Sequence, residues 1–452
     1  MKVSLIALSL IGLANSQNCA SISNRKELRT LTTDEWNVFS STIQEMQKRG
    51  WLAWYGYIHT QYFGVIHGSD QFLPFHRRFI LEFESTGRNI NPQFSQHYWD
   101  SSIDFNKPAD SPILSSSLMG GNGVKPNMCV MNGAQSGWTI SYPVNRCLTR
   151  SYDGGDTINP YMSPESISSD IQLSKNYKNF NQRIEAGMHN QVHASIGGDM
   201  AQAQSPVDVL FMLHHANVDR LWWKFQNAKP ANLLDYSKDT RTTVSYFNTQ
   251  VKDLLKVGEG ILCYNYNDSP SKIVRRQETL IDDPTTFSNK SAIAAVTEVP
   301  EMSLTTGISS SNLSKFFPAL ASGNANDNSV NMPSLVSKSA LEYAQQRQSS
   351  NSTTDSNAGP LRFPSQAPSF DVNSANPPVY PSKFRELSLN KSGSNSSAPS
   401  AIQKPKIPYP TKIPIDFLIH HRIDVNFYNA YYAEKVALVD ALNADGYVSP
   451  YI

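Results

Sequence analysis

Residues 180–226 have the sequence FNQRIEAGMHNQVHASIGGDMAQAQSPVDVLFMLHHANVDRLWWKFQ, which contains four of the chain's ten histidines. His189 and His193 are four residues apart, so on a helix both imidazoles lie on one face and reach a single ion. The adjacent His214 and His215 follow in a second helical pattern. A third imidazole from that helix completes a three-histidine metal site. Helical spacing alone leaves His214 and His215 as equal candidates for it.

A second cluster, His59, His67 and His76, lies upstream. A single histidine on an apolar helix face is commonly a packed core residue, but two triads whose last members both follow Phe-x-x-x (Phe72 and Phe211) are hard to explain as coincidence. Imidazole suits zinc, copper, iron or nickel, and three-histidine sites without cysteine or carboxylate favour a pair of coppers. A hydrolytic zinc site normally has the glutamate of HExxH, where this chain has Asn190.

The composition excludes several classes of partner. With 39 basic and 38 acidic residues the formal net charge is +1, which gives no support for nucleic-acid or anionic-membrane binding.

Residues 1–16 have a lysine, an apolar stretch and small residues before a cleavage point, and this pattern predicts a secretory signal peptide. No later apolar run is long enough to span a bilayer. We therefore expect a secreted protein without a membrane anchor.

The four cysteines, Cys19, Cys129, Cys147 and Cys263, form an even set, which in an exported chain favours disulfides. Three connectivities are possible. We predict that Cys129–Cys147 closes one loop and that Cys19–Cys263 brackets the intervening domain.

Composition divides the chain after the signal peptide into three parts. Residues 17–266 carry the histidine clusters, with helical patterns after Thr32, near Pro74, over about 175–194 and over about 206–227, where Ser205 and Pro206 are typical of a helix start. Residues 267–402 are rich in Ser, Asn and Pro and predict a largely disordered linker. Residues 403–452 predict a tail with an amphipathic helix. Six N-glycosylation sequons begin at Asn267, Asn289, Asn312, Asn351, Asn390 and Asn395.

The segments HGSDQFLPFHRRFI, HYWD, MHNQVHASIGGDM and SPVDVLFMLHHANVDRLW resemble the copper-binding stretches of the tyrosinase, catechol oxidase and molluscan-haemocyanin family of type 3 copper proteins. The resemblance covers about residues 19–266 and is strongest to the fungal short tyrosinases. It implies a mainly α fold, an antiparallel four-helix bundle with long loops, around a dicopper centre, followed by a largely irregular C-terminal extension. By this resemblance copper A is held by His59, His67 and His76, and copper B by His189, His193 and His215, with His214 packed beside them.

The resemblance also implies an activity. Two copper ions, with dioxygen as co-substrate, hydroxylate small monophenols or oxidise o-diphenols to o-quinones. The main alternative is a haemocyanin-like carrier that binds dioxygen without turnover, although this chain shows no tandem repeat. A mononuclear zinc hydrolase is a third interpretation, but it leaves the upstream triad unexplained.

Two further pairs of residues are candidates for roles near the coppers. In the family a glutamate and an asparagine hold a water that deprotonates the phenol. By this resemblance Asn190 matches the asparagine directly, whereas Glu185 is the nearest glutamate on the same helix and is closer in sequence to His189 than the glutamate of bacterial relatives. Glu185 is an equally reasonable surface glutamate. Arg77 and Asp219 each follow a copper histidine, and we expect them to join two helices as support for the ligands rather than to form a weak surface pair.

The C-terminal half holds two more signals. Arg275-Arg276 is either a processing site or an ordinary exposed basic pair. FLIHHRIDVNF at residues 417–427 resembles FMLHHANVDRL at 211–221, but it has no HxxxH partner, so we interpret it as part of a packing tail and not as a third copper site. We expect residues 403–452 to dock on the core and to limit access to the coppers.

Overall fold

The computed structural model of the protein describes Cys19 and residues 21–267, 303–324, 366–370 and 406–452. The predicted signal peptide, the Arg275-Arg276 pair and the sequons at Asn289, Asn351, Asn390 and Asn395 lie outside these residues. No helix within the described ranges has both the length and the apolar character that crossing a bilayer requires.

The histidine-bearing part is built from helices, which we number in chain order. They are α1 (Thr33–Lys48), α2 (Trp51–Ile66), α3 (Phe72–Ile90), α4 (Pro164–Leu173), α5 (Tyr177–Ile184), a π-helical turn (Glu185–His189), α6 (Asn190–Ile196) and α7 (Leu210–Ala228). Four helical rods therefore carry the two histidine clusters: α2, α3, the α5–α6 rod and α7. The mainly α fold expected from the sequence is confirmed.

Local sequence explains where these helices begin. Thr32 and Glu35 form the expected capping box at α1, in which each side chain bonds the other's backbone N–H. The predicted helix start at Ser205 and Pro206 is wrong: Ser205–Val207 forms a separate 3-10 turn and α7 starts at Leu210. The Asp208 carboxylate accepts a hydrogen bond from the Leu210 N–H, 2.9 Å away, and so favours the later start.

The helix predicted over residues 175–194 is interrupted by the π-helical turn Glu185–His189. Gly187, inside it, has φ −95° and ψ −107°. The hydroxyl of Tyr431 packs against this glycine so closely that a Cβ built at residue 187 would overlap the Tyr431 oxygen. The turn therefore has the shape that contact with the C-terminal part requires.

Short strands and disulfides close the histidine-bearing part, residues 19–267, on itself. Strand β1 (Ser23–Arg25) pairs in parallel with β4 (Tyr264–Tyr266), and β2 (Thr139–Ile140) pairs antiparallel with β3 (Arg146–Cys147). Both predicted disulfides, Cys19–Cys263 and Cys129–Cys147, are confirmed. The first joins the two ends of this unit, and the second closes the long loop region between α3 and α4.

The described residues of the C-terminal half form five helices: α8 (Leu304–Gly307), α9 (Ser310–Phe316), α10 (Pro318–Ala321), α11 (Ile415–His420) and α12 (Val425–Ala444). Residues 303–324, which the sequence interpretation placed in a linker, bury Leu304, Phe316, Phe317 and Leu320 against the core. The residues between these apolar side chains are mostly small and polar, so the segment shows no long hydrophobic periodicity in the sequence. The predicted helix of the tail is present as α12.

Candidate metal centre

Copper A's predicted ligands lie at three different places in the fold. His59 lies within α2, His67 follows its last residue, and His76 lies in the first turns of α3. The Nε2 atom of His59 is 3.3 Å from the Nε2 atoms of both His67 and His76. Ligand nitrogens about 2 Å from one ion in a tetrahedral arrangement lie about 3.3 Å apart. The three nitrogens therefore have the spacing of a single metal site.

Backbone carbonyls fix which ring nitrogen is free to bind metal. The Nδ1 atoms of His59, His76 and His193 donate to the carbonyls of Ala203 (2.7 Å), Phe72 (2.8 Å) and Met200 (2.5 Å) respectively. Because a carbonyl only accepts, Nδ1 must carry the proton and Nε2 keeps its lone pair. These contacts hold three imidazoles in the tautomer and direction that a metal ligand needs.

Glu185 orients His67. Its Oε1 atom lies 3.0 Å from Nδ1 of His67 and accepts the N–H of Gly68 at 2.8 Å. Burial raises the pKa of this carboxyl well above its usual value, and the Gly68 N–H partly offsets that rise. The geometry makes Glu185 a positioning residue for His67, and its predicted role in deprotonating the phenol stays a prediction.

We expect Glu185→Gln to weaken copper binding by roughly 10- to 100-fold, the usual effect of losing an outer partner of a ligand histidine. The reason is that the amide is a poorer acceptor for the Nδ1–H of His67 than the carboxylate. Competition with a copper chelator measures the affinity. Glu82→Gln, which changes another largely buried carboxylate whose ion-pair partner is Arg78, is the control; equal affinities in the two variants would contradict the assignment.

The second cluster offers one imidazole more than a triad needs. Ring nitrogens of His189, His193 and His214 lie within 4.8 Å of one another. The Nε2 atom of His215, however, is 3.3 Å from the Nε2 atoms of both His189 and His193. Since 3.3 Å is also the spacing in the first triad, we retain His215 as the ligand, and this choice stays a prediction. His214 is fully buried beside them.

The two clusters face each other directly. The rings of His76 and His215 stack with centroids 4.0 Å apart and planes inclined by 15°. The rings of His67 and His189 are 5.6 Å apart. Phe72 packs on His76 at 4.9 Å and Phe211 on His215 at 4.1 Å, as the Phe-x-x-x-His spacing predicts. Two metal ions held here are therefore close neighbours.

All of these histidines are neutral at neutral pH. Burial lowers the pKa of His59 to about 3 and that of His193 to about 4. The pKa values of His67, His76, His189, His214 and His215 are lowered well below the ordinary value, chiefly by burial and then by neighbouring imidazoles. Neutral imidazole is the form that binds metal, so the donors fit copper without losing a proton.

Asn190 directly follows His189 and is fully buried. Within the described ranges, neither its amide nitrogen nor its amide oxygen has a hydrogen-bond partner. Burying an amide in this way is costly unless a further molecule completes its bonding. Its predicted role in holding a water stays a prediction, and the unpartnered amide is what such a role requires.

The predicted pair between Arg77 and Asp219 is confirmed and is wholly buried. Asp219 also accepts hydrogen bonds from the hydroxyls of Tyr264 (2.7 Å) and Tyr266 (2.5 Å) and lies 3.4 Å from Arg25. This network joins α3, which carries His76, and α7, which carries His215, to β4, the strand that ends the histidine-bearing part. It therefore fixes the helices that carry His76 and His215.

Sequence reasoning missed one residue at the centre. His421, which follows α11, is buried with its ring 5.3 Å from that of His67 and 6.2 Å from that of His193. The signal was present in the sequence, because Phe417 precedes His421 by four residues as Phe72 precedes His76. Its meaning depended on where the tail packs, which a local motif does not contain.

The sequence of this chain is similar to those of known proteins. Residues 33–228 match the family described as "Tyrosinase: Common central domain of tyrosinase". The tyrosinase of Streptomyces glaucescens is 28% identical over 232 residues, 46% of this chain and 84% of that protein. The tyrosinase ustQ of Aspergillus flavus is 28% identical over 289 residues, 55% of this chain and 80% of that protein.

Solved structures similar to this chain include a variant of a polyphenol oxidase from Thermothelomyces thermophila, which is 19% identical with a TM-score of 0.43 over 55% of this chain and 89% of that one. A deoxygenated hemocyanin from Rapana thomasiana is 18% identical with a TM-score of 0.43 over 55% of this chain and 69% of that one. From the domain match, the named relatives and the two histidine clusters, we conclude that residues 33–228 are the central domain common to tyrosinases and that the chain is a copper oxidoreductase with a dicopper centre.

Proposed function

We propose that the protein is a secreted polyphenol oxidase that hydroxylates monophenols and oxidises o-diphenols to o-quinones. The observation that carries the proposal is the pair of buried imidazole clusters joined by the His76–His215 stack. Copper bound there supplies the activation of dioxygen. Overall, a monophenol and O2 give an o-quinone and water, whereas two o-diphenols and O2 give two o-quinones and two waters.

The protein's own groups orient the ligands and move protons. Backbone carbonyls of the segment 199–204 hold the rings of His59 and His193, one from each triad. That segment, DMAQAQ, has no bulky aromatic side chain, which supports access for monophenols. The unpartnered amide of Asn190 supports a bound water or phenol oxygen beside His189, where the phenolic proton leaves.

We further infer export and latency. The signal-peptide pattern and the two disulfides support export, because such bonds persist in oxidising compartments. The ring of His421 beside the copper ligands supports a tail that limits the access of phenols. Residues 403–452 then keep the activity of the enzyme low until they are removed from the site.

The test is to load copper into the mature chain, and into the same chain lacking residues 277–452, and to measure oxidation of a matched monophenol and catechol. We expect two coppers per chain and oxidation of both substrates. We expect a His189→Ala variant to lose copper B and all detectable turnover. Reversible oxygen binding without turnover would favour an oxygen carrier instead. One zinc and no copper would favour a hydrolase.

A further inference from the structure

The segment Ile415–Arg422 lies directly on the copper A side of the bundle. The ring of His420 stacks on Phe63, one helical turn before His67, with centroids 4.6 Å apart and planes inclined by 20°. Arg422 donates from Nη1 to the carbonyl of Gly64. Gly68 has φ +63°, and a Cβ there would overlap the Arg422 carbonyl oxygen. Gly68, two residues after the end of α2, thus leaves room for the backbone of the tail.

This packing places His421 against both triads. Its ring centroid is 5.3 Å from that of His67, within the 5.3–5.5 Å that separates the three copper A rings from one another. It is also 6.3 Å from the ring of His189 and 6.2 Å from that of His193. Its side chain faces ligands of both coppers and is almost completely buried.

The local geometry of His421 repeats that of the predicted copper ligands. Its Nδ1 atom donates to the carbonyl of Phe417 at 3.0 Å, as Nδ1 of His76 donates to the carbonyl of Phe72 at 2.8 Å. Its ring stacks on Phe417 at 4.0 Å, as His215 packs on Phe211 at 4.1 Å. The Nδ1 contact assigns the proton to that atom, so the neutral ring keeps its lone pair on Nε2.

We propose that His421 is a seventh imidazole ligand of the copper centre, provided by the tail and lost when the tail leaves. The tail then restrains the enzyme through a bond to copper as well as by covering the site. A phenylalanine in the same place would fill the space but offer no lone pair, and this difference separates coordination from simple obstruction. The inference deepens the latency proposed above and rests on it only for its consequence in turnover.

The experiment compares His421→Phe with His420→Phe in the full-length chain, each loaded with copper and chemically reduced. Copper K-edge absorption distinguishes three-coordinate cuprous ions, which give a sharp pre-edge feature, from four-coordinate ions, in which it is weaker. We expect the feature to be stronger in His421→Phe than in wild type and unchanged in His420→Phe. Copper affinity, measured by competition with a chelator, should also fall by at least about tenfold in His421→Phe, because even the loss of an outer partner of a ligand costs about 10- to 100-fold.

A second measurement needs no substitution in the tail. Removing residues 277–452 from wild type takes His421 away, so the pre-edge feature should strengthen as it does in His421→Phe. An identical spectrum before and after this removal, or in wild type and a His421→Phe chain that retains its tail, would overturn the proposal. Turnover is measured separately: if phenols are not oxidised although the spectrum changes, the proposed function fails and the ligand assignment stands.

Discussion

Deleting residues 277–452 is expected to raise the rate of catechol oxidation by on the order of 100-fold, because a docked tail leaves only a small open population. Ionic contacts hold that tail on the histidine-bearing part, and the contact between Lys435 and Asp170 is wholly buried. Lys435 of the tail lies 2.7 Å from Asp170. Arg183 lies 3.0 Å from Asp170 and 2.6 Å from Glu434 of the tail. A hundredfold excess of the docked state over the open state needs a docking free energy of about 2.8 kcal/mol, since each 1.4 kcal/mol is a factor of ten.

A nicked chain is the matched control for this deletion. These contacts do not depend on an intact linker, so a chain cut between residues 277 and 302 should keep its tail and its low activity. Because the contacts are not covalent, salt or mild denaturant should then separate the pieces. Gel filtration reports whether the pieces remain together, and catechol oxidation reports access to the copper. Unchanged turnover by a folded deletion variant would contradict the occluding role.

The second large effect is expected for Asp219→Asn, which should lower the melting temperature by roughly 6–20 °C. Four side chains, Arg25, Arg77, Tyr264 and Tyr266, converge on this one buried carboxylate. Removing its charge leaves two arginines without full compensation, at a cost of about 3–5 kcal/mol. Each kcal/mol shifts the melting temperature of a domain of this size by about 2–4 °C.

The control for that variant is Asp239→Asn. Asp239 also pairs with an arginine, Arg241 at 2.6 Å, but both side chains are exposed. Water screens such a pair, so we expect no measurable change in melting temperature. Thermal unfolding followed by circular dichroism measures both variants. If Asp219→Asn and Asp239→Asn had the same melting temperature, the buried network would not be what fixes α3 against α7.

The parts of the site that depend on local spacing could be predicted from sequence. His189 and His193 lie one turn apart on one helix, and the Phe-x-x-x-His pairs depend on the same periodicity. The chemistry of three imidazoles without a carboxylate then indicated copper. The pair Arg77–Asp219 followed from the same helical spacing, applied to two helices that had to meet at the metals.

The features that could not be predicted depend on packing between distant segments. The π-helical turn at Glu185–His189 has no composition signal, because its extra residue is accommodated by neighbours from other parts of the chain. That turn brings the carboxylate of Glu185 to His67, a contact across 118 residues. Choosing between His214 and His215 depends on ångström differences at the metal, and the place of His421 depends on the docking of a tail more than 200 residues further on.

Gly187 carries a consequence for how such proteins diverge. Its φ of −95° and ψ of −107° are not helical, so the backbone alone already disfavours an L side chain at this position. The hydroxyl of Tyr431 also occupies the position of the missing Cβ. A lineage that lost its tail would lose the steric constraint at residue 187, but it would keep the backbone constraint for as long as the turn keeps its shape.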